Sequence, residues 1–184
     1  KNKGILRALV QSQLDQNLLL EAEQSVSAII LLGSAEAADL HLRSQLRSAL
    51  QNTDGALEDA RAVFSLRPND NQVLAAVCTL LIQANEIEEA KQLLDDELVK
   101  QPHSDALWQL RCGFEFAVNG DGKKIIDAWL TQLPESALAH EALAVNLEST
   151  GHLAEATIAV DKALSLSENL ALAQFVKLRQ EVRE

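Results

Sequence analysis

Proline recurs in this chain with a nearly fixed step. Pro68 and Pro102 stand 34 residues apart, and Pro134 follows 32 later. Cys78 and Cys112 are also 34 apart, as are Ala22, Ala56 and Ala90 in turn. The same step reaches back from Pro68 to Ser34 and forward from Pro134 to Glu168. A period of this length is one supersecondary unit repeated, and a unit so small buries its apolar face only by stacking on its neighbours. The composition says which unit. The chain is 47% apolar yet 3% aromatic, with no Tyr. Leu and Ala dominate, and both are strong helix formers.

Aligned on the period, the slots repeat. A bulky slot early in each unit holds Leu6, Leu40, Leu74, Trp108 and His140. Four residues on, a small-residue slot holds Val10, Ser44, Cys78, Cys112 and Ala144. A second helix carries Ala22, Ala56, Ala90, Gly122 and Ala156, and four residues later Val26, Ala60, Leu94, Ile126 and Val160. Ser34, Pro68, Pro102, Pro134 and Glu168 close the units. Helices cross closely only where small residues meet, and Pro stops a helix that has ended. This pattern resembles the tetratricopeptide repeat (TPR) family, whose units read W-x2-L-G-x2-Y, A-x3-F, P. The resemblance implies an all-α fold, an α-α superhelix in which antiparallel helix pairs form a right-handed solenoid. The expected domain is a single array over 1–184, with repeats at about 3–36, 37–70, 71–104, 105–136 and 137–169. A capping helix is expected at 170–182, burying Leu170, Ala173, Val176 and Leu178 and facing water on its other side.

Two departures stand out. Arg43 and Arg47 fall in the Leu and Tyr slots of the second unit. Unpaired buried charge is costly, so the helix is expected to rotate and use Leu42, Leu46, Ala49 and Leu50 as its core. The fourth unit is two residues short and contains Gly113, Gly120 and Gly122. An irregular turn is expected there.

Catalytic and metal motifs fail on inspection. Cys78 and Cys112 share the small-residue slot, where buried Cys packs as a small apolar side chain; two Cys make no zinc site. Asn119-Gly120-Asp121-Gly122 resembles the middle of a calcium loop. Ala117 and Ala128, however, stand where such a loop needs acids. His140-Glu141 begins a metalloprotease motif whose second His is replaced by Ala144. Gly122-Lys123 lacks the rest of a phosphate loop, and Lys123-Lys124 reads as a solvated helix start. No catalytic residue, metal or cofactor is expected. The net charge is −11, and residues 71–169 hold sixteen acidic against six basic side chains. Such a surface disfavours nucleic acid and anionic membranes. No apolar run approaches the roughly 18 residues of a membrane span.

The function implied by the resemblance is a protein–protein interaction scaffold, with a peptide or partner segment in a groove lined by first helices. Carried onto this chain, that groove comprises Arg7, Gln11, Leu14, His41, Gln45, Ser48, Gln72, Thr79, Gln83, Gln109, Phe116, Glu141 and Glu148. Gln amides both donate and accept, which suits an extended backbone. Charge is expected to grade from Arg7, His41, Arg43 and Arg47 to Glu141 and Glu148. Chaperone-tail clamps of the family place Lys, Asn and Arg where this chain has Arg7, Gln11, Leu42, Gln72 and Ala76, so no such clamp is expected. The alternative is a partner- or substrate-positioning segment of a larger, bacterial-type enzyme. An apolar, uncapped first unit also suggests self-association through terminal repeats. A chain that opens on Lys1 without any Met reads as a piece of a longer protein, and its thiols fit cytoplasm or bacterial periplasm alike.

Overall fold

The computed structural model describes residues 2–33 and 36–181. Among these, eleven helices follow one another: α1 (Asn2–Asp15), α2 (Leu19–Leu31), α3 (Ala37–Ala49), α4 (Thr53–Leu66), α5 (Asn71–Gln83), α6 (Ile87–Lys100), α7 (Asp105–Asn119), α8 (Lys123–Gln132), α9 (Ala137–Ser149), α10 (Leu153–Leu166) and α11 (Ala171–Glu181). No strand occurs among the described residues. The closing slot at Ser34, and Val182 at the end of the expected capping helix, lie outside them. The chain divides into two compact units, Lys1–Ala90 and Lys91–Glu184, with the division inside α6.

In the first unit, apolar residues of each hairpin close over the first helix of the next. Val10, Ala22, Val26 and Ile29 from α1 and α2 pack with Leu46 of α3. Leu40 and Val63 pack with Val73 of α5, with Ile30 of α2 at the edge. The second unit repeats the scheme. Cys112, Ile126 and Trp129 cluster with Ala139 of α9, and Ala144, Leu147, Ala156, Ala159 and Val160 with Val176 of α11. The small slots explain the close crossings. Ala22, Ala56, Ala90 and Ala156 are fully buried. Ser44 donates its hydroxyl to the Ala56 carbonyl at 2.8 Å. Gly122 takes the Ala place in the fourth unit because a Cβ there would stand 2.7 Å from the Phe116 ring.

Three-residue turns join α1 to α2, α3 to α4, α5 to α6 and α9 to α10, and each places a left-handed residue at its centre: Asn17, Gln51, Asn85 and Gly151. The next amide then bonds back five residues, as in Asn52 N–H to Arg47 O at 2.8 Å and His152 N–H to Leu147 O at 2.9 Å. Such a cap satisfies carbonyls left over at a helix end. The period places the fourth of these residues at Asn119. The left-handed residue there is instead Gly120, φ 71°, and α7 runs two residues longer than α3, α5 and α9. This is the irregular turn of the shortened unit. Asp121 supports it, accepting from the Lys123 amide and from Asn146 Nδ2.

The bulky slot has a second use in the second unit. Trp108 Nε1 donates to the Pro102 carbonyl at 2.8 Å, His140 Nε2 lies 2.9 Å from the Pro134 carbonyl, and Gln174 Nε2 donates to the Glu168 carbonyl at 2.6 Å. Each bond spans six residues and ties a first helix to the loop before it. Gln174 therefore marks α11 as the first helix of a sixth unit. Ala173 and Val176 of α11 are buried against α9 and α10. Leu178, expected in that core, is instead exposed with Leu172 and Phe175, an apolar stripe that shares the outer face with the water-facing Gln174, Lys177 and Arg179.

The reading of the second repeat, residues 37–70, also needs correction. Helix α3 is not rotated away from Arg43 and Arg47. Asp59 of α4 is buried and accepts Arg43 Nε at 2.8 Å, Arg43 Nη2 at 2.6 Å and Arg47 Nη1 at 3.0 Å. Arg47 Nε also reaches Glu23 at 3.0 Å, and Arg47 Nη1 the Gly55 carbonyl at 3.1 Å. Paired and hydrogen-bonded, these charges escape the penalty that argued for rotation. Leu46 is buried, while Ala49 and Leu50 are exposed.

Candidate functional site

Among the described residues, three clefts lie between first helices of neighbouring repeats. One lies between α1 and α3, about 320 Å³, and includes Arg7, Gln11 and Leu14. The second lies between α3 and α5, about 420 Å³. It gathers His41, Gln45 and Ser48 with Thr79 and Gln83, over a floor that includes Ala60, Val63 and Leu80. The third lies between α7 and α9, about 210 Å³, and holds Gln109, Phe116 and Glu141. Each cleft is thus lined by residues that the resemblance carried onto the groove face. Gln72 is exposed on α5 and lines none of them.

Their availability differs. Arg7 Nη2 is held by Glu36 at 2.9 Å and by Asp39 at 3.3 Å. These two carboxylates, the Glu36 hydrogen bond foremost, raise the Arg7 pKa further. Glu141 is buried and accepts the Ala173 amide at 2.9 Å, capping the start of α11. In both places the residue after the bulky slot reaches the first turn of the next first helix. Glu148 is also largely covered, and Arg179 lies 3.3 Å from it. The expected grading of charge therefore fails. Arg43 and Arg47 face Asp59 and Glu23, Arg7 faces carboxylates, and both glutamates are spent inside the fold. In contrast, His41, Gln45 and Gln83 are exposed, and their side chains make no hydrogen bond within the described residues.

Solved structures share this arrangement of hairpins. A tetratricopeptide repeat protein from Parabacteroides merdae superposes with a TM-score of 0.58 at 22% identity, over 98% of this chain and 73% of that one. MamA from Desulfovibrio magneticus RS-1, residues 41 to its end, gives 0.57 at 15% identity, over 93% and 98%. YrrB, described as a TPR protein with an unusual peptide-binding site, gives 0.52 at 14% identity, over 91% and 88%. The fold is a tetratricopeptide-repeat fold. No family model and no curated protein matches the sequence itself.

Within this TPR fold the remaining candidates have structural work. Cys78 and Cys112 are free, buried thiols, each pushed up to about 11 by burial, so neither is a thiolate near neutrality. Lys123 pairs with Asp127 at 2.5 Å on its own helix. Arg111, which the period did not single out, is buried between Asp95 at 2.7 Å and Glu115 at 2.6 Å. Among the described residues, no group of three or more His, Cys, Asp and Glu side chains could hold a metal, and no helix is long and apolar enough to cross a membrane.

Proposed function

We propose that this chain is a protein-interaction scaffold, not an enzyme, and that the cleft between α3 and α5 receives an extended peptide segment of a partner. One observation carries the reading. The largest of the three clefts is rimmed by Gln45, Gln83 and His41, whose donors and acceptors are unused among the described residues. A peptide backbone offers an N–H and a C=O at every residue. Amides that both donate and accept answer both, whatever the side chains. The description of YrrB as peptide-binding supports the reading by analogy. The unreactive state of both thiols argues against a cysteine nucleophile.

The test is affinity capture from the source cell, with the parent chain beside a variant carrying Gln45→Ala, Thr79→Ala and Gln83→Ala. The expected result is a protein captured by the parent and lost by the variant, with the variant's helical circular dichroism unchanged. Identical capture by both chains, or none by either, would remove the cleft from the account. A second reading, self-association, is favoured by Ile5, Leu31 and Leu32, which stand exposed on the first hairpin. Sedimentation that stays monomeric over a wide concentration range would end it.

A further inference from the structure

The cleft between α3 and α5 is larger than its two counterparts, and the repeat alignment shows why. The apolar slot of the second helix holds Val26, Leu94, Ile126 and Val160 in the other units but Ala60 in this one. Near the end of the first helix, Leu14, Ile82, Phe116 and Glu148 correspond to Ser48 here. Both substitutions remove side-chain volume, and both residues line the cleft. Its volume is about 420 Å³, against about 320 Å³ where Leu14 and Val26 line the wall and about 210 Å³ where Phe116 does. The lining also contains no Asp, Glu, Lys or Arg. Ala49, Ala60, Val63, Val73, Ala76 and Leu80 make the apolar part. The nearby arginines are already committed: Arg43 and Arg47 are bonded to Asp59 and Glu23 on the other side of α3.

From this we infer that the cleft is a specificity pocket for one uncharged, bulky apolar side chain of the bound peptide, of Leu, Ile, Met or Phe type, clamped by backbone hydrogen bonds to Gln45 and Gln83. The inference rests on the peptide-binding reading above. A charged side chain entering this cleft would leave water with no counter-ion to meet it, which is strongly unfavourable. An apolar one gains from every methylene buried. The unit has given up its own apolar bulk at Ala60 and Ser48, and the ligand's anchor supplies it.

A phage-displayed library of random dodecapeptides selected on the parent chain tests this. The best binder is then synthesised with each residue changed in turn to Ala, Asp and Lys, and titrated against the parent and against Ala60→Leu and Ala76→Leu. One apolar position is expected to dominate, with at least about 30-fold weaker binding when it becomes Asp or Lys. Either filling variant should weaken the parent peptide by at least about 10-fold, and the anchor shortened to Ala should recover part of that loss in the filled cleft. Two filling variants are used because Ala60 is buried and its enlargement alone could disturb folding; circular dichroism and urea unfolding identify a folded one. Peptides bound equally by the parent and both folded variants, or anchored through a charged residue, would overturn the pocket while leaving peptide binding intact. A library that yields no peptide binder would overturn both readings.

Discussion

Replacing Asp59 with Ala probes the least expected feature of the fold. The Asp59 carboxylate is 2% exposed and accepts three hydrogen bonds, two from Arg43 and one from Arg47. Removing one partner of a buried ion pair costs about 3–5 kcal/mol, because the charge left behind has lost its compensation. Here the loss should sit near the lower end of that range. Arg43 and Arg47 keep 15% and 18% side-chain exposure, and Arg47 keeps Glu23. About 3 kcal/mol is two orders of magnitude in the folded-to-unfolded ratio. Urea unfolding followed by circular dichroism measures it, with the slope checked against the parent because arrays need not unfold in two states. The double variant Arg43→Leu/Asp59→Leu should lose less than Asp59→Ala alone, since it strands only Arg47, which retains Glu23. A loss below about 1 kcal/mol for Asp59→Ala would refute the reasoning. It would mean that the two guanidiniums reach water, as a rotated α3 would allow.

Four further outcomes are expected. Leu74→Ala and Leu94→Ala, both fully buried, should each cost about 2–5 kcal/mol in urea, whereas the exposed Gln72→Ala and Gln109→Ala should change stability by less than about 0.5 kcal/mol. Hydrogen bonding to Arg111 holds the Glu115 pKa below its ordinary 4.5, so its stabilising contribution is full above that value and is lost as pH falls through the depressed folded value; thermal melts of Glu115→Gln should depend less on pH across that acidic window. Ellman's reagent should leave Cys78 and Cys112 untouched in the folded chain at mildly alkaline pH and modify both in urea. Gln51 holds a left-handed backbone at φ 62° that a side chain disfavours, so Gln51→Gly should raise the urea midpoint by roughly 0.5–1 kcal/mol of stability.

The slots that steric exclusion dictates were legible in the sequence. Ala22, Ala56, Ala90 and Ala156 announce close helix crossings, and Gly122 keeps that place where Phe116 presses on it. The turns carried a signal left unused, since Asn17, Gln51, Asn85 and Gly151 keep the period and mark the left-handed position. Arg43 and Arg47 look costly when each slot is taken one residue at a time. The compensating Glu23 and Asp59 lie on the two flanking helices, and only pairing buried-face charges of opposite sign across helices would have found them. His41, Gln45, Thr79 and Gln83 were reached through the resemblance, which places them on the groove face of first helices, and all four line the cleft between α3 and α5. Glu141 occupies such a position too, but the first turn of α11 comes over it and takes its carboxylate. Burial by a following helix depends on local packing, which the spacing alone does not carry.

Photo-crosslinking in the source cell tests the central claim most directly. Benzoylphenylalanine placed at Gln45, on the cleft rim, is compared with the same group at Glu58, exposed on α4 and outside the cleft lining. The account predicts a discrete cross-linked partner from position 45, displaced by excess of a cleft-binding peptide, and none from position 58. Equal cross-linking from both positions, or a partner seen from position 58 alone, would contradict it.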